Sequence, residues 1–281
     1  MSRSLTEAAA QSINGSGAVF FGGGGWQEAR GGQKSHSICV EHTLSELDTA
    51  GEYYHDTAAH KLYWWPNTTK SAEDVSLVVP TLKRLISVVG GAAPVRNLRF
   101  VGLELTHAAP TYMDDYLVPS AGDWSVHRGG AMFLENAENI HVENCTFANL
   151  GGNALFLSKH VTRSSIAGSE FVRIGDSAIS LVGDAHEVNV VRKGDATAPG
   201  LFPERNTIEL NHIHEVGITG KGMAGIFQSI ARSNLIRRNV LYNGPRAGAL
   251  HACLRTSPRV DPRLSLCSGR PQRRLRREHD D

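Results

Sequence analysis

Five short segments of the chain share one pattern, in which apolar residues alternate with polar ones after an opening Asn or Ser. They cover 97–105, 139–147, 165–171, 206–213 and 234–241. Alternation with a period of two places every second side chain on the same face, so each segment predicts a short β-strand or strand pair. A Gly or Asn that suits a tight turn follows or interrupts most of them.

The spacing of these segments predicts a repeat architecture. Each ends on a large apolar residue: Leu105, Phe147, Phe171, Ile213 and Leu241. Their separations are 42, 24, 42 and 28 residues, which a period of about 24 residues with two insertions of about 18 residues explains. The insertions fall near 107–129 and 184–204, and both have the Pro, Gly, Asp and His content of loops.

A second series of short strands follows Gly-rich turns and completes each repeat. Its members are 131–134, 154–157, 178–181 and 224–227. Repeats of this size made of strands alone predict an all-β solenoid, a parallel β-helix whose stacked coils bury one continuous apolar column. A β-sandwich also uses many short strands, but it would not repeat one ladder in a single register. We expect four opening asparagines to form turns and to bond from coil to coil: Asn97, Asn139, Asn206 and Asn234.

The pattern divides the chain into three parts. Residues 1–90 predict a β-rich subdomain that caps the solenoid, with strands at 51–54, 61–66 and 75–79. The parallel β-helix spans 91–248. Residues 249–281 are Arg-rich and lack the repeat, so we expect a solvated, disordered tail, with a nucleic-acid patch at 273–277 as the alternative.

Charge and motif content exclude several functional classes. The chain has 29 Lys and Arg against 28 Asp and Glu, a net charge of +1, so no field steers it to nucleic acid or to an anionic membrane. No apolar run reaches the roughly 18 residues of a membrane span, and residues 1–11 do not read as a secretory signal. The sequence has no phosphate loop, dinucleotide fingerprint or cysteine-based metal motif. We therefore expect a monomer without cofactor, nucleic-acid partner or membrane partner.

Several short motifs between residues 21 and 248 carry a family resemblance. They lie at 23–27 (GGGWQ), 51–54 (GEYY), 62–66 (LYWWP), 122–131 (GDWSVHRGGA), 175–179 (GDSAI) and 242–248 (YNGPRAG). Together they resemble the right-handed parallel β-helix proteins of the pectin-lyase-like superfamily, in particular its glycoside-hydrolase-like members. The resemblance implies a polysaccharide or oligosaccharide substrate, cleavage by hydrolysis or β-elimination, and an extracellular location. Related chains continue with more coils after the last motif, so this chain looks truncated or frame-shifted after Gly248.

The candidate chemistry lies in insertion 107–129 and in the turn at Asp176. The insertion combines carboxylates, aromatic rings and cations, the groups that a sugar site needs. With coils about 4.8 Å apart, Asp123 and Asp176 could lie within about 10 Å, the range of a two-carboxylate glycosidase. We assign catalytic roles to Asp123, Asp176 and His127, and substrate contacts to Trp124, Arg128, Tyr112, Asp115, His214, Gln228 and Arg246. The alternatives are a polar loop with a turn-capping aspartate, a non-catalytic glycan-binding β-helix, an inactive truncated fragment, or a polysaccharide lyase.

His212 and His214 are two residues apart in a predicted strand and therefore point to the same face. Such a pair suits a metal ion, but the sequence shows no third ligand. We accordingly assign no metal site and expect ordinary core or surface histidines, with His214 available to a sugar.

Overall fold

The computed structural model describes residues 42–69, 72–117, 125–184 and 201–252, and short strands at 10–13, 19–21, 259–260 and 265–266. Their regular secondary structure is almost entirely β-strand. The helical segments among them are two single 3₁₀ turns, Leu44–Glu46 and Ala72–Asp74. In the described ranges, no helix has the length and hydropathy that a membrane span requires.

Three parallel sheets run through the chain, and each coil contributes one strand to each sheet, except that the first coil contributes two short strands to sheet 1. Sheet 1 consists of Ile86–Val89 with Val95–Arg96, then Met132–Glu138, Leu155–Thr162, Ile179–Val182, Ala224–Ser229 and Ala247–Ala252. Sheet 2 consists of Arg99–Val101, His141–Glu143, Ser165–Ala167, Thr207–Glu209, Leu235–Arg237 and Arg259–Val260. Sheet 3 consists of Glu104–Thr106, Thr146–Leu150, Glu170–Ile174, His212–Val216, Val240–Tyr242 and Ser265–Leu266. This is a parallel β-helix, and it confirms the predicted fold class.

The core is the stacked column that the sequence predicts. In sheet 3, five residues pair from coil to coil in one register: Leu105, Phe147, Phe171, Ile213 and Leu241. All five are at most 5% exposed. The rings of Phe147 and Phe171 stack at 4.7 Å with their planes 5° apart. Each coil therefore buries its apolar residues against the coils above and below, which no single coil could do alone.

The strand Ala224–Ser229 of sheet 1 is shifted by one residue from the alignment that its sequence suggests. Ile226, not Gly225, pairs with Ile179. Gly225 instead occupies the tight alanine position, where a Cβ would lie 2.7 Å from the carbonyl oxygen of Gly248. Because side chains alternate across a strand, this shift turns Phe227 outward and Gln228 into the interior.

The opening asparagines form ladders, as predicted. Asn139 donates to Asn97 Oδ1 at 2.7 Å, and both have left-handed φ angles of 55° and 61°. Asn206 and Asn234 are instead buried and bond to each other at 3.0 Å. These amides satisfy backbone groups that would otherwise be buried without partners.

The N-terminal region differs from expectation in one element. The hairpin forms as predicted, with Tyr53–Asp56 antiparallel to Lys61–Trp64. Residues 75–79 form no strand, and this prediction was wrong: Leu77, Val78 and Val79 are exposed. A β-prone run makes a strand only where another strand accepts its hydrogen bonds.

The solenoid extends beyond both of its expected boundaries. At its start, Ile86–Val89 already belongs to sheet 1 and pairs with Met132–Glu138. After Gly248, each sheet gains one further strand, so the coil pattern continues into the segment expected to be a disordered tail. The Arg run at 273–277 lies outside the described residues.

Two further antiparallel strand pairs complete the described secondary structure. Ala10–Ile13 pairs antiparallel with Val19–Phe21, and Tyr116–Leu117 pairs antiparallel with Val126–His127. Cys145, a free cysteine, is buried in the core.

Candidate functional site

The corner at which the chain passes from sheet 3 to sheet 1 concentrates the candidate chemistry. In two consecutive coils this corner is a turn of four residues, at 151–154 and at 175–178. The coil before them carries insertion 107–129, and the coil after them carries the loop 217–223. Two short turns therefore lie between two longer loops, and we call this place the 3–1 corner.

Asp176 lies in the second short turn and is buried, with 1% of its surface exposed. Its backbone N–H donates to the carbonyl of Gly152, so the aspartate stacks directly on the preceding turn. Its Oδ2 accepts hydrogen bonds from Tyr116 Oη at 3.1 Å and Thr111 Oγ1 at 3.3 Å. Its Oδ1 has no hydrogen-bond partner among the described residues. The insertion thus reaches across one coil to hold one oxygen of this carboxyl group.

Burial dominates the electrostatics of this group. Desolvation raises the pKa of Asp176 to about 6, although the bonds from Tyr116 and Thr111 and the nearby His127 act to lower it. A carboxyl group with such a pKa can exist in either protonation state near neutral pH. This property is required of a general acid, and buried structural carboxyls also have it.

The described part of the insertion orients His127 beside this carboxyl group. The His127 ring lies 6.0 Å from the ring of Tyr116. Its Nδ1 bonds to the carbonyl oxygen of Asp115 at 3.0 Å, which requires the proton on Nδ1. Its Nε2 lies 3.8 Å from Asp114 Oδ2, and Asp114 also pairs with Lys83. His127 is therefore held as a potential proton acceptor near Asp176.

Two glycines allow the loops to approach the short turns closely. A Cβ on Gly152 would lie 2.5 Å from Thr111 Oγ1, and one on Gly220 would lie 2.3 Å from Asp176 Oδ1. Both distances are well below van der Waals contact. The glycines therefore permit the insertion and the loop 217–223 to enclose the aspartate.

Arg128 is engaged by the protein itself. Its guanidinium donates to Ser158 Oγ at 2.8 Å, to the carbonyl of Val182 at 3.1 Å and to that of Gly183 at 2.8 Å. Burial lowers the pKa of Arg128, while Asp184 and Glu135 act to raise it. These bonds join three coils of sheet 1, so the structure supports a bracing role where the sequence suggested a substrate contact.

The other predicted substrate contacts are scattered. Gln228 is inside the solenoid, 2% exposed, and accepts a hydrogen bond from Asn234 at 3.1 Å, so it does not face a groove. His214 is on the outer face of sheet 3, away from the 3–1 corner turns. Arg246 lies in the corner turn of a later coil, and Tyr112 and Asp115 lie in the insertion. Asp123 and Trp124 lie outside the described residues.

A shallow open groove of about 660 Å³ runs beside the 3–1 corner. The loop 217–223 lines it, together with Arg173, Glu215 and the turn 243–245. The same loop contacts Asp176 through Gly220 on its other side. The groove therefore adjoins the buried aspartate without containing it.

The sequence pattern assigns no role to Tyr116, Thr111 or Glu170. The first two are ordinary loop residues until the insertion is folded onto Asp176, and no local pattern marks them. The position of Glu170 could have been inferred from the repeat, because Glu170 directly precedes the core residue Phe171 just as His212 directly precedes the core residue Ile213. Matching the two strands by their core residues would have placed Glu170 beside His212.

Comparisons with known proteins agree with the architecture. Among solved structures, the chain is similar to a glycoside hydrolase, with a TM-score of 0.59 and 23% sequence identity. The match covers 73% of this chain and 40% of that chain, so this chain spans less than half the length of that protein. This likeness supports the parallel β-helix fold. No protein-family model and no curated protein matches the sequence.

Proposed function

We propose that the protein is a carbohydrate-active enzyme, a glycoside hydrolase acting on a polysaccharide or oligosaccharide, with its reactive centre at the 3–1 corner. The observation that carries this proposal is Asp176: a buried carboxyl group of raised pKa, with Oδ1 unpartnered among the described residues, beneath an insertion that presents a tyrosine and a histidine. The glycoside-hydrolase name of the similar solved structure supports the same substrate class.

In this proposal Asp176 is the general acid that protonates the leaving oxygen of the glycosidic bond. The second carboxylate comes from insertion 107–129. Asp123 remains our prediction for that role, and Asp114 is the alternative because it lies beside His127. A separation of about 5 Å between the two carboxyl groups would indicate retention of configuration, and about 6.5–9.5 Å would indicate inversion.

The groove beside the corner is the proposed binding path for the sugar chain. Its lining includes the cations Arg173 and Lys221 and the carboxylate Glu215. The two cations can donate to sugar hydroxyls or to the carboxylate of a uronate, and the carboxylate can accept hydrogen bonds from sugar hydroxyls. Because Gly220 lies against Asp176, the loop 217–223 has to shift before a substrate bound in the groove can reach Oδ1.

The test is hydrolysis by the recombinant chain of a panel of plant, algal and microbial polysaccharides, measured as new reducing ends. Asp176→Asn should lower turnover by about 10²–10⁴-fold, the usual contribution of a general acid, while binding on a glycan array is retained. Asp48→Asn, the same change at an exposed residue before the N-terminal hairpin, is the matched control and should keep full activity. Equal turnover by the two variants would contradict the role of Asp176, and unsaturated uronate products would indicate a lyase.

A second candidate, glycan binding without cleavage, is favoured by one observation. Asp176 is 1% exposed and bonded by two hydroxyl groups, as a purely structural aspartate would be. This candidate predicts saturable glycan binding, no cleavage of any substrate by the intact chain, and no effect of Asp176→Asn on affinity.

A further inference from the structure

The outer face of sheet 3 brings together three residues that the sequence separates. His212 and His214 lie on one strand, and Glu170 lies on the strand before it, directly paired with His212. Their ligand atoms all lie within 4.8 Å of one another. Glu170 is thus the third ligand that the sequence alone did not show.

The distances within this cluster match those of a metal site. Glu170 Oε1 is 3.3 Å from His214 Nε2 and 3.5 Å from His212 Nδ1. Zinc–nitrogen and zinc–oxygen bonds of about 2.1 Å place two ligands of a tetrahedral ion about 3.4 Å apart. Two edges of the ligand triangle are therefore already formed. Rotation of His212, whose side chain is 46% exposed, closes the third edge.

The histidine that is most buried is also held by its neighbours. The His214 side chain is 13% exposed, and its ring stacks on Tyr242 at 4.9 Å with the planes 1° apart. Its Nε2 faces Glu170, whereas its Nδ1 is buried without a hydrogen-bond partner among the described residues. A metal ion bound at Nε2 leaves the proton of His214 on Nδ1. Because Nδ1 lacks an acceptor for that proton among the described residues, we expect a metal affinity about 10–100-fold lower than that of a site whose histidine has one.

We propose that Glu170, His212 and His214 bind one divalent transition-metal ion, Zn²⁺ or an ion of similar preference, at the outer face of sheet 3. Two imidazoles and one carboxylate are a recurrent ligand set for zinc, with a further position left to water or to a ligand. Nitrogen ligands select such ions over Mg²⁺ and Ca²⁺, which prefer oxygen. The site is separate from Asp176 and does not depend on the proposed hydrolase activity.

The test is metal binding by the tag-free chain after treatment with a chelator. Calorimetric titration with Zn²⁺ should show one equivalent bound with micromolar affinity, and Mg²⁺ should show no binding. Titration with Co²⁺ should produce the visible absorption bands of an ion held by protein nitrogen ligands. Absence of saturable Zn²⁺ binding would overturn the proposal.

Variants locate the bound ion. His214→Ala and Glu170→Gln should each weaken Zn²⁺ binding by at least about 10-fold. Loss of a residue that only hydrogen-bonds a metal ligand already weakens binding by about that factor, and loss of the ligand itself should weaken it at least as much. Glu104→Gln is the matched control, because Glu104 is an exposed residue of the same sheet face, two coils earlier in the same register column. Circular dichroism should show that all three variants are folded. Zn²⁺ binding that survives the double change His214→Ala and Glu170→Gln, in a folded protein, would place the ion elsewhere and refute the site.

Discussion

The buried carboxyl group of Asp176 makes folding stability depend on pH in a direction opposite to that of a salt-bridged aspartate. Its pKa is about 6 in the folded protein, against 3.8 for the unperturbed group. Below both values the group is protonated in the folded and in the unfolded chain, and it contributes nothing. As the pH rises through this window the unfolded chain loses the proton first, so the folded state loses stability.

The magnitude follows from the gap between the two pKa values. A gap of about 2 units corresponds to about 3 kcal/mol, at 1.36 kcal/mol per unit. Above the folded pKa the wild-type protein bears this whole cost, whereas an asparagine at this position has no proton to lose. The free energy of unfolding of Asp176→Asn, minus that of wild type, should therefore rise by about 3 kcal/mol between pH 3.5 and pH 7.5.

The assay is urea unfolding of both proteins at a series of pH values, followed by circular dichroism. The pH dependence of the difference is the informative quantity, because the amide changes the hydrogen bonds of Tyr116 and Thr111 by a constant amount. Asp48→Asn provides the baseline for the same change at an exposed site. A difference that stays flat, or that falls as the pH rises, would falsify the reasoning, since the carboxyl group would then be ionised and stabilised in the fold.

Three further predictions test the packing around the site. Phe171→Ala, in the middle of the interior column, should cost about 3–5 kcal/mol in urea unfolding, whereas Val240→Ala, 44% exposed on the outer face of sheet 3, should cost less than about 1 kcal/mol. Asn211→Ala should cost about 2–4 kcal/mol in the same assay, because it leaves the N–H of Ser169 and the carbonyl of Ile166 buried without a side-chain partner. Gly220→Ala should cost about 1–3 kcal/mol by thermal or urea unfolding because its Cβ would overlap Asp176 Oδ1, whereas the control Gly91→Ala, with open space around its Cβ, should be near neutral.

The sequence alone determined the fold and its core. Alternation with a period of two selects which side chains face inward, and a recurring spacing of about 24 residues, lengthened by two insertions, implies that the inward residues stack. The sequence predicts one interior column of five residues, and the structure confirms it: Leu105, Phe147, Phe171, Ile213 and Leu241. These features are local and repeated, so each copy of the pattern supports the others.

Only the tertiary structure decided how the loops and the shifted strand of sheet 1 meet the other coils. A one-residue shift in sheet 1 put Gln228 inside, and folding of the insertion placed Tyr116 on Asp176. Each contact joins residues from different coils, and its geometry depends on turn lengths and on the close approach of glycines such as Gly220. A repeat pattern predicts the features that all coils share. The candidate site forms where the coils differ, in their loops and in one strand register, and these differences depend on tertiary packing.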